Sequence, residues 1–163
     1  MASVSFLWAL GVSAAVAIFV AVMGGIFTEI GPWYQKLKNP AWKPPDWAFG
    51  PIWTTILVMA TISSALAWEA APGGAARLLI VAVLAINSVL NIAWSYIFFK
   101  MKRPDWALIE VALLWLSILS LILVLGAYSW TAGLLMVPYI LWVSTAALLN
   151  LRIVQLNGPF RSA

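Results

Sequence analysis

Asn87, Asn91 and Trp94 fall at i, i+4 and i+7, and Tyr139, Trp142, Ala146 and Asn150 repeat such a stripe later in the chain. Residues at these spacings share one face of a helix. Amides inside apolar segments have two uses. They hydrogen-bond across helices, contributing about 0.6 to 2 kcal/mol, or they orient a ligand in an otherwise apolar pocket; the spacing leaves both open. Glu110 is an ionisable group near the start of an apolar run, which marks a functional candidate by default. A long side chain near a helix end also reaches out to the interface, and the expectation is that Glu110 does so and pairs with Lys100, Lys102 or Arg103.

The rest of the inventory narrows the chemistry. The chain has neither cysteine nor histidine, which excludes disulfides, Ser-His-Asp and Cys-His catalysis, the usual zinc sites and the commonest axial ligand of haem iron. It has no nucleotide-binding loop and no metal motif, so no metal or cofactor is implied. Aromatic surface, amides, hydroxyls and a few charges remain.

These groups need elements to position them. Hydrophobic residues make up 64% of the 163 and charged residues 9%, against about a quarter charged in a soluble domain. Several apolar runs exceed the roughly 18 to 20 residues that carry a helix across a hydrocarbon core of about 30 Å, and the two-residue alternation of a β-barrel is absent. The sequence predicts an all-α, polytopic membrane protein: a bundle of five transmembrane helices forming a single domain over 1–163. The spans are expected near Ser5 to Phe27, Trp47 to Trp68, Arg77 to Phe99, Trp106 to Leu125 and Thr131 to Leu151. The first lacks the basic leader of a cleaved signal peptide and is kept as a helix.

An odd number of crossings puts the termini on opposite sides. Lys36, Lys38, Lys43, Lys100, Lys102, Arg103, Arg152 and Arg161 gather on one face and Arg77 stands alone on the other. The positive-inside rule then places the N-terminus outside and the C-terminus and loop one in the cytoplasm. Topology accounts for the net charge of +4, and no nucleic-acid partner is called for; membrane lipid is the surrounding partner.

Loop one, residues 28–46, is far longer than a turn requires. Long loops in compact bundles are functional or disordered, and disorder fits badly with Trp33, Tyr34, Leu37, Trp42 and Trp47 offering area to bury while Pro32, Pro40, Pro44 and Pro45 lower the entropy cost of ordering. A folded cap over the cytoplasmic end is the expectation. Trp8, Trp68, Trp106 and Trp130 sit at span ends, as an aromatic belt demands. Trp53, Trp94, Trp115 and Trp142 lie deeper, where core packing and a cavity wall compete as explanations. Pro138 should kink span five by removing a helix hydrogen bond to Leu134. Ser13, Ala17, Ala21 and Gly25 form a small-residue stripe on span one that suits close packing, either internal or between two copies.

The stretch "WYQKLKNPAWKPPDWAFGPIW" at 33–53, with "LNIAWSYIFF" at 90–99, "WALIE" at 106–110 and "PYILWVSTAALLN" at 138–150, resembles the TspO/MBR family, the tryptophan-rich sensory proteins, translocator proteins and peripheral-type benzodiazepine receptors, in its bacterial type. The resemblance implies a five-helix bundle with a cytoplasm-facing cavity closed by loop one, usually a homodimer, that binds porphyrins such as protoporphyrin IX and other hydrophobic molecules. By position it implies ligand-binding roles for Tyr34, Trp53, Asn91, Trp94, Trp142 and Ala146. It further implies that Trp53 and Trp142 are the catalytic pair if light-dependent porphyrin breakdown occurs. Transport and sensing of tetrapyrroles stay open beside that activity, and a small exporter of hydrophobic or cationic compounds is the alternative. Two departures stand out. Leu151 occupies the place of the tyrosine in the family's cholesterol motif, which argues against cholesterol recognition, and Ser95 and Tyr96 follow Trp94 where the family pattern has proline, which predicts a straighter end to span three.

Overall fold

Without water to satisfy the backbone, apolar runs of this length close their hydrogen bonds internally as helices. The computed structural model describes residues 3–160, so the basic Arg161 lies outside the described residues. Among the described residues, five helical spans are long and apolar enough to cross a membrane: Val4–Phe27, Asp46–Ala70, Gly74–Lys100, Pro104–Tyr128 and Trp130–Asn157. The elements are α1 (Val4–Phe27), α2 (Pro32–Lys36), α3 (Asp46–Ala70), α4 (Gly74–Ser95), α5 (Pro104–Tyr128), α6 (Trp130–Leu135) and α7 (Val137–Asn157). Most of the helices run a few residues past the expected ends. Pro104, for example, starts α5 in the first turn, where its missing N–H costs nothing.

α5 is the central element. Its stripe of Ala107, Glu110, Val111, Leu114, Ile118, Leu121 and Leu125 is buried, against α4 on one side and α6 and α7 on the other. α1 is peripheral and packs chiefly on α3. Ser63 of α3 donates to the Ala132 carbonyl of α6 at 2.7 Å, and Gly133 of α6 lies so close to α5 that a Cβ there would meet Gly126 Cα at 2.9 Å.

Two spans depart from regular helix. The kink expected at Pro138 takes the form of a one-residue interruption: α6 ends at Leu135, and α7 restarts at Val137 with the proline in its first turn. The end of span three is not a straight continuation of α4. Residues Tyr96–Lys100 form a π-helical turn, from which Met101 N–H donates back to the Tyr96 carbonyl at 3.0 Å. The widened turn brings both Phe98 and Phe99 into the interior.

Candidate functional site

Loop one folds back over one end of the bundle. Tyr34 of the short α2 and the following Leu37 are buried in a cluster with Phe98, Phe99, Ala107, Leu149 and Ile153. Burying an apolar side chain of this size contributes about 1.5 to 3 kcal/mol. The Tyr34 and Phe99 rings lie 5.5 Å apart, and Trp33 meets Phe98 edge-on at 6.2 Å. A polar clasp completes the docking: Lys38 N–H donates to Asn157 Oδ1 at 2.7 Å, and Asn157 Nδ2 donates to the Lys38 carbonyl at 2.9 Å. Trp42 and Trp47 do not join the cap. They are 49% and 76% exposed, which corrects the expectation that they bury in it; on this rim, indoles satisfy their apolar bodies at the membrane interface instead.

Beneath the cap lies a cavity of about 390 Å³, within the roughly 300 to 1,000 Å³ of ligand pockets. All five spans contribute to its wall. Trp53, Asn91, Trp94, Trp142 and Ala146 line it, and Tyr34 reaches it from the cap, so the six residues singled out by position meet at one place. Sequence reasoning missed Phe49, which stands one turn before Trp53 on α3 and packs edge-on against Trp142 at 5.3 Å; the i, i+4 spacing carried that signal. It also missed Phe99, delivered by the π turn, and the α1 wall of Val20, Ala21, Gly24 and Gly25. Ala21 and Gly25 of the small-residue stripe therefore have an internal use, keeping the wall thin beside the cavity.

The asparagines divide between the two roles that spacing left open. Asn87 donates to Ser117 Oγ at 2.9 Å and accepts from the Tyr139 hydroxyl at 3.2 Å, so it ties α4 to α5 and α7. Asn91 donates to that same hydroxyl at 2.7 Å while lining the cavity. Tyr139 is buried behind the wall, its ring edge-on to Trp53 at 5.8 Å. Asn150 donates to the Pro104 carbonyl at 2.8 Å and Trp115 to Ser144 Oγ at 2.9 Å; neither lines the cavity.

Two cavity-lining indoles behave differently. Among the described residues, Trp94 Nε1 and Trp142 Nε1 are buried and have no hydrogen-bond partner, although buried donors are nearly always paired. Trp94 stacks on Phe98 at 5.1 Å, which fixes its plane. Glu110 overturns the expectation that it reaches the interface. It is 7% exposed and both carboxyl oxygens lack a partner, because residue 110 belongs to the inward stripe of α5 and cannot turn out to the rim. The neighbouring cations are engaged elsewhere, Lys100 with Glu29 and Arg103 with Asp105 at 2.6 Å.

Charge at the cavity mouth is paired. Lys43 meets Asp46 at 2.6 Å and lies 4.9 Å from the centre of the Tyr34 ring; the Tyr34 hydroxyl donates to Asp46 at 3.2 Å. Burial raises the Tyr34 phenol above its ordinary range. Burial alone would lower Lys43, but its hydrogen bonds to Asp46 and Tyr34 outweigh this and raise it.

Comparison with known proteins agrees with this architecture. The family model described as the TspO/MBR family matches residues 12–156. The chain is 40% identical over 142 residues to the tryptophan-rich protein TspO of Chlorobaculum tepidum, covering 85% of this chain and 89% of that one. It is 35% identical over 134 residues to protein CrtK of Rhodobacter capsulatus, covering 82% and 83%. To the translocator protein of Ovis aries it is 31% identical over 131 residues, covering 80% and 78%.

Proposed function

This chain belongs to the TspO/MBR family, and from that premise we propose that it binds a porphyrin or a similarly flat, hydrophobic molecule in the cavity beneath loop one. It is a multi-pass integral membrane protein. The observation that carries the reading is the cavity wall: six aromatic side chains, Tyr34, Phe49, Trp53, Trp94, Phe99 and Trp142, two of them with buried indole N–H groups that have no partner. A conjugated macrocycle offers faces to stack on indoles, while Asn91, held by Tyr139, adds a placed polar group. Lys36 and Lys38 stand on the loop-one side, where they can meet carboxylates at a ligand's edge. The positive-inside rule makes this side the cytoplasmic one, and the family resemblance makes the working unit a homodimer.

A second reading, light-dependent breakdown of the bound porphyrin with dioxygen as oxidant, is favoured by Trp53 and Trp142 lining the same cavity. The cationic-exporter alternative is less well supported. It calls for a buried carboxylate at the ligand; Glu110 is buried but does not line the cavity, and Asp46, which does, stands at the mouth paired with Lys43. Titration of detergent-purified protein with protoporphyrin IX, followed by tryptophan fluorescence in darkness and by absorption under illumination, tests both. Saturable quenching in the dark supports binding, and loss of the porphyrin bands in light supports breakdown. Quenching that stays linear with concentration refutes the site.

A further inference from the structure

α3 and α7 separate where a proline stands in the first turns of each. Pro51 stands inside α3, where its ring displaces the carbonyl one turn back and removes a helix hydrogen bond. α7 begins only after the break at Met136, with Pro138 in its first turn. α3 packs closely against α6, yet it makes hardly any close approach to α7. The seam holds a groove of about 470 Å³ lined by Pro51, Ile52, Thr55, Pro138, Leu141 and Thr145. Leu141 is 63% exposed, so the groove opens on the outer face of the bundle, which in this protein is lipid.

Trp142 lines both this groove and the inner cavity. Trp142 is thus part of the wall between the ligand cavity and this groove. Across the seam it is steadied by its edge-on contact with Phe49 at 5.3 Å, and its indole N–H has no partner to break when the ring turns. On the aqueous side, by contrast, the cap is held by the Asn157 clasp and by buried Tyr34 and Leu37.

We propose that the seam between α3 and α7 is a lateral portal, through which a flat hydrophobic ligand dissolved in the bilayer docks in the groove and passes into the cavity as Trp142 swings aside. This rests on the cavity being the ligand site. Its occupant is the same ligand in transit, because the groove abuts the cavity across the shared Trp142 and faces the solvent in which such a molecule dissolves.

The chain contains no cysteine, so a single introduced thiol is addressed cleanly. Thr145→Cys carries that thiol on the groove and off the cavity wall; the Thr145 hydroxyl bonds only to the Leu141 carbonyl of its own helix. The variant is reacted with N-cyclohexylmaleimide, reconstituted in liposomes and mixed with protoporphyrin IX in stopped flow. A blocked path slows travel in both directions, so association and dissociation rates fall together by at least tenfold and Kd is unchanged. Thr55→Cys, on the opposite lip, gives the same result after labelling, and labelled Leu123→Cys, on the exposed face of α5 and lining neither the groove nor the cavity, does not. Unchanged rates in both groove variants overturn the portal and leave the groove to lipid chains. A raised Kd with an unchanged association rate also overturns it, by making the groove part of the binding site. Absence of saturable quenching in the unlabelled protein removes the ligand site itself, a failure distinct from the other two.

Discussion

Asn157→Ala removes the clasp that joins the loop-one backbone to the end of α7. Two hydrogen bonds are lost, from Lys38 N–H at 2.7 Å and to the Lys38 carbonyl at 2.9 Å. Both are exposed; at about 1 kcal/mol net each, the pair contributes at most about 2 kcal/mol. That corresponds to at most a roughly 30-fold rise in the population with the cap lifted, since about 1.4 kcal/mol is a factor of ten. Burial of Tyr34 and Leu37 remains, so the cap still rests closed and the helices do not unfold. Hydrogen–deuterium exchange in detergent reads this directly: the amides of residues 33–38 exchange up to about 30-fold faster, while those of α5 keep their rates. An increase below about threefold would refute the view that the clasp, added to two apolar anchors, sets the cap's opening.

Other consequences follow from the polar groups. Tyr139→Phe keeps the ring against Trp53 but takes two hydrogen bonds from Asn87 and Asn91. Interhelical bonds in membranes average about 0.6 kcal/mol, so unfolding in mixed micelles should shift by about 1 to 2 kcal/mol; no shift would show that the amides find other partners. Glu110→Gln should leave Tm unchanged or raise it, because neither oxygen has a partner to lose and an ionisable group in the bilayer costs about 2.5 to 3.5 kcal/mol when charged. A fall of several degrees would reveal a carboxylate partner. Both Tyr34 and Lys43 are raised in the folded state, so their contribution to cap closure is complete below their ordinary values, about pH 10, and is lost as pH rises through the folded ones. Exchange at loop one, corrected for its intrinsic rate, should be flat from neutral pH to about 9 and accelerate above about 10; acceleration starting near neutrality would contradict this.

How much of this was legible in the sequence depended on periodicity. The five spans follow from apolar runs that no soluble fold explains, and Asn91, Trp94, Trp142 and Ala146 could be grouped because one helical face carries each set. Phe49 was equally readable, one turn from Trp53. Phe99 was not, since a π turn leaves no mark in hydropathy, and the α1 wall depends on which helices become neighbours. Asn157 lies beyond the apolar run of its helix and reads as a solvated end, although it holds the cap. Glu110 misled because distance from the membrane edge suggests snorkelling, whereas the face on which it stands, shared with Ala107 and Leu114, decides its burial. Trp42 and Trp47 misled in the opposite sense: apolar area in a loop predicts burial somewhere, and the interface supplies it as well as a core does.

The central claim is that the indoles and the amide beneath loop one form the porphyrin site, and the dissociation constant for protoporphyrin IX, measured in the dark by tryptophan quenching, tests it most directly. Trp142→Phe gives up indole stacking worth about 0.5 to 1.5 kcal/mol, and Asn91→Ala a hydrogen bond of similar size, so each should weaken binding by about 2- to 13-fold. Trp130→Phe, 76% exposed at the far end of the bundle, should bind as the parent does. Equal dissociation constants in all three variants would contradict the account.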